Sequence, residues 1–387
     1  MLSLIENADL YAPEARGICH LLVGAGRVLH VDRERIDVDA RLLAERLDLQ
    51  GAPLVPGLVD AHVHVTGGGG EDGFSTQAMP VPLSAYTAHG VTSVVGLLGT
   101  DDETRSTASL LARTRALREE GLSAWCWTGG YHLPATTLTG SVRRDIVSLG
   151  PVIGLGEIAI SDHRSSQPTH DELARLASEV HVAGLLSRKA GVMHLHLGDG
   201  PRGLEPVRRL LAETELPPRM FHPTHVNRRK ALFEEACELA PGGSTVDVTA
   251  FPVGPDEDAW SGADAWERFH ESGAPAGRLT VSSDGGGCLP VFDNQGSMLR
   301  MDFATSAGLT DTLAELLGRG HELAAVLPCL TRNVAELLRL PRKGRIAAGM
   351  DADLVVLDTR HRPCHVMARG RWMVRDGRAL VTGTFEG

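Results

Sequence analysis

Between residues 57 and 340, short apolar runs alternate eight times with polar, helix-patterned stretches, and this alternation constrains the fold more than any other feature of the chain. The runs are LVDAHVHV (58–65), GVTSVVGLLG (90–99), SAWCWTGGY (123–131), PVIGLGEIAI (151–160), GVMHLHLG (191–198), RMFHPTHV (219–226), STVDVTAF (244–251) and RLTVSSDG (278–285). Stretches such as RSTASLLARTRALREEG (105–121) and HDELARLASEVHVAGLL (170–186) separate most of them. Eight strand–helix units predict an α/β chain whose parallel sheet closes into a (β/α)8 TIM barrel instead of staying open.

The two ends read differently. Residues 1–56 and 341–387 hold short strand-like runs punctuated by turns, including HLLVGAGRVLHVD, DADLVVLD and CHVMARGRWMVRDG, with no long helical period. Both ends are therefore expected to pair into one small β-sandwich domain, leaving 57–340 as the barrel domain.

Composition bounds the function. The net charge of −11 leaves no basic stripe to neutralise phosphates, which excludes nucleic acid as a partner. The longest apolar runs, such as 91–98, are too short to span a bilayer, so no membrane association is expected. The N-terminus MLSLIENADLYAPE lacks the basic and long apolar regions of a signal peptide. Six scattered cysteines without a C-x-x-C pair fit a reducing compartment, and a cytoplasmic location follows as the expectation.

The chemistry starts at His62 and His64. Residues i and i+2 of a strand share a face, so both rings can point toward the mouth of the barrel. Alone, the pair is equally well read as two core histidines. Other strand ends, however, offer Glu157, His196, His225 and Asp284. Six metal-compatible groups on five strands converge on the C-terminal mouth, where barrel active sites lie. Imidazoles and carboxylates suit Zn²⁺, and six donors exceed what one catalytic zinc accepts, so two divalent metal ions sharing a bridge are expected.

The blocks DAHVHVTGGGGE (60–71), VTSVVGLLGTD (91–101), TGGYHLP (128–134), AISDHRS (159–165), PTHVNR (223–228) and SSDG (282–285) resemble the isoaspartyl dipeptidase family of the amidohydrolase superfamily. The tail TRNVAELLRLPRKGRIAAGMDADLVVLD (331–358) is similar to the superfamily's return from barrel to small domain. The resemblance implies that His62, His64 and Asp284 bind the more buried metal, that His196 and His225 bind the other, and that the strand-4 residue bridges them. It implies a hydroxide shared by the metals as nucleophile, Asp284 as its proton acceptor and Tyr131 polarising the scissile carbonyl. Glu71 would hold the free α-ammonium of a β-aspartyl dipeptide, and Arg164 and Arg228 its carboxylates. Thr100 and the Gly69 backbone would complete the pocket. A homo-oligomer of eight chains is implied as well.

Two positions depart from the family. Its strand-4 lysine, carbamylated to bridge the metals, is replaced by Glu157, in a stretch one residue longer than usual. Only three lysines occur, Lys189, Lys230 and Lys343, and none falls where it could substitute. A carboxylate keeps the charge and both oxygens on a shorter stem, so the extra residue is expected to form a bulge that brings the backbone closer. Cys288 stands where the family has a serine that contacts substrate.

Several residues near these blocks have plainer readings. His194 reads as core or as support for a ligand, His222 as structural, His132 as a surface or loop residue, His163 as a surface or loop residue or, lying within a specific block, as support for a ligand, and Asp60 as packing or as orienting a ligand histidine. Two rival functions are compatible with the superfamily: opening of a hydantoin or dihydropyrimidine ring or a deamination, and a non-catalytic scaffold that has lost its metals.

Overall fold

The computed structural model describes residues 2–292 and 298–386, with the backbone alone at 290–292 and 298–300. Eight strands line the centre: β1 (Leu58–Val63), β2 (Val91–Gly96), β3 (Ser123–Thr128), β4 (Val152–Ile160), β5 (Met193–Leu197), β6 (Phe221–Thr224), β7 (Val246–Thr249) and β8 (Leu279–Ser282). They match the eight apolar runs, shortened by the turn residues at their ends. Nearly every residue in them is buried, as continuous apolar strands covered on both faces require.

Strands β1 to β6 pair in sequence as one parallel sheet, and β7 pairs in parallel with β8. The ring closes between β8 and β1, where Val63 bridges Gly285 and the His64 N–H donates to the Gly285 carbonyl at 2.8 Å. Between β6 and β7 the Asn227 side chain supplies two of the links. Its Nδ2 donates to Thr249 O and its Oδ1 accepts from Thr249 N, both at 2.9 Å. The fold is a (β/α)8 barrel.

A helix follows each strand, from α1 (Leu83–Thr87) through α2 (Thr107–Glu120), α3 (Val142–Ser148), α4 (His170–Ser187), α5 (Glu205–Glu213), α6 (Lys230–Leu239) and α7 (Gly262–Glu271) to α8 (Ala307–Gly318). Helix α4 shows why these segments are helical. Thr169 and Glu172 form a reciprocal capping box at its start, and Leu173, Ala177, Val180, Ala183 and Gly184 recur on its inner face. Two further helices, Leu323–Leu330 and Arg332–Leu337, follow the barrel.

The terminal strands form one nine-stranded sheet, joined where Pro53–Pro56 runs antiparallel to Leu354–Leu357 with Val55 opposite Val355. Its own core includes Ile5, Leu21, Leu54, Leu354 and Met367. The pairing of both ends matches the expected β-sandwich. After β8, Cys288–Phe292 pairs antiparallel with Met298–Phe303, an addition to the eight barrel strands. The six cysteines are all free thiols. Among the described residues, no helix is long and apolar enough to cross a membrane.

Candidate active site

Closure of the barrel brings the strand ends of the six expected donors together. His62 lies near the end of β1 and His64 just beyond it, both buried. His225 and Asp284 follow β6 and β8 in the left-handed region, at φ +61° and +53°. Such backbone in non-glycine residues costs energy and concentrates at functional sites.

Glu157 reaches the centre through a bulge in β4. Met193 and Leu195 on β5 pair with Leu155 and Ile158, so three steps of β4 oppose two of β5. This is the extra residue seen in the sequence. The adjacent Gly156 is required, since a Cβ there would stand 2.7 Å from His194 Cβ.

The two oxygens of Glu157 face opposite ways. Oε1 is 3.6 Å from His62 Nε2 and 3.7 Å from His64 Nε2, while Oε2 is 3.1 Å from His196 Nδ1 and 3.5 Å from His225 Nε2. Asp284 Oδ1 lies 3.3 Å from His62 Nε2 and 3.1 Å from His64 Nε2. Although so close, His62 Nε2 and Asp284 Oδ1 are buried without a hydrogen-bond partner among the described residues. Orphaned atoms of this kind are costly unless something else occupies their common focus. Ligand lone pairs aimed at a cation produce this arrangement, so the residues fit a metal pair.

Two sets of three donors have ligand atoms within 4.8 Å of one another: His62, His64 and Asp284, and His62, Glu157 and His225. The first is the expected trio. His196 falls outside both sets. Its Nδ1 also approaches the Tyr131 hydroxyl at 2.8 Å, and its Nε2 approaches Asp162 Oδ2 at 3.0 Å.

Electrostatics follow from burial and pairing. Burial pushes the Glu157 and Asp284 carboxyls up, but the surrounding histidines overcome it and hold both well below the usual carboxylate range. Burial alone would lower His62, yet Glu157 and Asp284 raise it to about 9. Burial lowers His225 to about 4. For Tyr131, burial and the nearby Glu157 raise the phenol far above its ordinary value, so it stays a proton donor.

The expected substrate residues ring this centre. Glu71 Oε1 accepts from Thr100 Oγ1 at 3.0 Å and from Arg164 Nη1 at 3.1 Å. Arg228 pairs with Asp199 at 3.1 Å and donates to the Leu197 carbonyl at 2.8 Å. Gly69 lies against Cys288, whose Sγ would stand 2.3 Å from a Cβ at that position. The thiol donates to the Thr76 carbonyl at 3.8 Å.

Sequence reasoning missed several supports. Asp162, nearly fully buried, orients Arg164 through Nη2 at 2.8 Å while facing His196. His132, read as a loop residue, links Asp102 Oδ1 at 2.8 Å to the Arg164 carbonyl at 3.0 Å. The spacing of Asp162 two residues before Arg164 was the available signal. Among the described residues Asp60 makes no hydrogen bond to the His62 ring, whose Nδ1 faces His194. It accepts from the His62 backbone N–H at 3.2 Å and from Ser283, and so ties β1 to β8. His163 is a surface side chain, 91% exposed.

Known proteins resemble this chain over most of its length. The amidohydrolase family profile matches residues 54–382. The β-aspartyl dipeptidase of Fervidobacterium islandicum AW-1, solved in complex with the β-Asp-Leu dipeptide, is 40% identical and covers 98% of each chain with a TM-score of 0.91. The imidazolonepropionase of Paracoccus denitrificans is 25% identical over 360 residues, 88% of each chain. The dihydropyrimidinase of Brevibacillus agri, 16% identical with a TM-score of 0.69 over 99% of this chain and 97% of its own, shares the fold. The chain therefore belongs to the amidohydrolase family and, within it, to the family of the β-aspartyl dipeptidases.

Proposed function

We propose that this protein is a metal-dependent dipeptidase that hydrolyses the isopeptide bond of β-aspartyl dipeptides. The observation that carries the reading is the placement of Glu71, held by Thr100 and Arg164, beside a buried set of histidines and carboxylates. A free α-ammonium needs an anion at the pocket, and a cyclic amide does not. The likeness to a structure bound to β-Asp-Leu supports the same substrate class.

In this proposal His62, His64 and Asp284 would hold one ion and His196 and His225 the second, with the Glu157 carboxylate available to both. Their nitrogen and oxygen donors suit zinc. When bound, two such ions supply Lewis acidity toward the scissile carbonyl and ionise water near neutral pH. Asp284 accepts the proton of the attacking water and delivers it to the leaving amine. Tyr131 donates its hydroxyl hydrogen to the developing oxyanion, exchanging its contact with His196 for the substrate. Arg164 and Arg228 present guanidinium forks to the substrate carboxylates, and Thr100, the Gly69 backbone and Cys288 line the remaining wall.

Residues 57–340 form the catalytic domain and 1–56 with 341–387 the β-sandwich domain. A cytoplasmic homo-oligomer, an octamer, completes the proposal.

A panel assay decides it. Purified protein should cleave β-Asp-X and leave α-Asp-X, β-Glu-X and hydantoins largely untouched, with metal analysis run on the same sample. Faster turnover of hydantoins would favour ring opening instead. Protein that takes up no metal and cleaves nothing would point to the scaffold.

A further inference from the structure

Beneath the candidate metal centre lies a continuous chain of buried polar groups that the proposed chemistry does not use. His62 Nδ1 meets His194 Nε2 at 2.8 Å, and His194 Nδ1 meets His222 Nδ1 at 2.9 Å. His222 Nε2 meets Thr280 Oγ1 at 2.9 Å, and Thr280 Oγ1 reaches Asp247 Oδ1 at 2.6 Å. All five residues are fully buried.

We propose that Asp247, Thr280, His222 and His194 form a one-way hydrogen-bond relay that keeps His62 Nδ1 protonated and its Nε2 lone pair turned to the metal centre. The inference rests on the metal-binding reading of His62 given above.

Direction follows from donor and acceptor counting. Each nitrogen–nitrogen contact needs one donor and one acceptor, so fixing one ring fixes the next. The far end sets the sense. Asp247 receives hydroxyls at both oxygens, Thr280 on Oδ1 and Thr224 and Ser282 on Oδ2, which makes it the acceptor terminus. Thr280 therefore spends its hydrogen on Asp247 and accepts from His222 Nε2. His222 Nδ1 is then bare and accepts from His194 Nδ1. That leaves His194 Nε2 bare, able only to accept from His62 Nδ1.

A ring whose Nδ1 is committed as donor can hold a metal only through Nε2. His62 Nε2 is the atom that stands orphaned among Asp284, Glu157 and His64. The opposite polarity would place a hydrogen on Nε2 and close the ligand position.

Packing holds the relay in register. Trp127 stacks on His194 with centroids 5.3 Å apart and planes 16° from parallel, and Gly156 leaves the room that His194 occupies. Partners that orient a ligand histidine typically affect metal affinity by about 10–100-fold. Here the orienting carboxylate acts through three intervening side chains, so these are positioning residues and not catalytic ones.

The test reads ring protonation directly. In protein labelled with ¹⁵N-histidine, metal-free and zinc-loaded, His194 should carry its hydrogen on Nδ1 and His222 on Nε2. Finding His194 protonated on Nε2, or His222 on Nδ1, overturns the relay. A second arm uses Thr280→Val, which removes the acceptor for His222. Zinc affinity measured by chelator competition should fall about tenfold, and Thr280→Ser should restore it. Unchanged affinity in Thr280→Val also overturns the relay. Wild-type protein that binds no zinc defeats the metal-site reading instead, while the ring assignments still decide the polarity of the chain.

Discussion

Glu157 Oε2 stands 3.1 Å from His196 Nδ1, while the other oxygen of the same carboxylate turns to His62 and His64. One side chain thus spans both halves of the donor set. The β4 bulge makes this possible, because it offsets the shorter stem of glutamate with a closer backbone.

A glutamate bridge needs no CO₂. Metal-free protein should recover full zinc content and activity in bicarbonate-free buffer, checked by elemental analysis and assay together. Glu157→Gln should lose one ion of the two and at least about a hundredfold in kcat/KM, beyond the usual effect of groups behind the ligands. A bicarbonate requirement would contradict the bridge.

Glu71, linked to Thr100 and Arg164, should select for a free amine. A charge-assisted hydrogen bond contributes about 1.5–3 kcal/mol, so Glu71→Gln should lower kcat/KM on β-Asp-Leu by about 10–100-fold. The variant should discriminate far less between the free and N-acetylated dipeptides. Equal rates for both substrates in the wild-type protein would remove the proposed role.

Tyr131 is buried and held in its protonated form by burial and by Glu157. The role proposed for it is exerted in the transition state, so Tyr131→Phe should reduce kcat by about 10²–10³ and change KM little. Steady-state kinetics with metal content verified would separate this from loss of an ion.

Metal uptake should depend on pH through His62. In the metal-free fold, Glu157 and Asp284 overcome burial and raise its pKa to about 9, so at pH 7 an ion must displace a proton. Binding to the deprotonated ring is favoured as pH rises, so apparent affinity should climb by up to about tenfold per pH unit toward 9 and then level off. Calorimetry in buffers of different ionisation enthalpy should report release of about one proton at pH 7. Affinity independent of pH between 6 and 8 would contradict this.

Much of the site was legible in the sequence because its rules are local. Alternation of apolar runs with helical stretches predicted all eight strands, and the i, i+2 spacing of His62 and His64 predicted their shared face. Placing Glu157, His196, His225 and Asp284 at the ends of other strands was enough to expect them at one mouth. The extra residue near Glu157 announced a bulge before its register was known. Other relationships carried weaker signals. Asp162 and Asp247 look like any polar residue next to a strand end, and the strand Cys288–Phe292 is a short run that directly follows glycines.

The sequence by itself therefore determined the fold, the candidate donors and the resemblance to the β-aspartyl dipeptidases. Only the tertiary structure decided which oxygen of Glu157 faces which histidine, that His196 is shared with Tyr131 and Asp162, and that a buried chain joins His62 to Asp247. The reason is geometric. Periodicity along a strand fixes which face a side chain occupies, but distances across a barrel depend on closure and stagger. Here those were set by the Val63–Gly285 seam and the bulge opposite Met193 and Leu195.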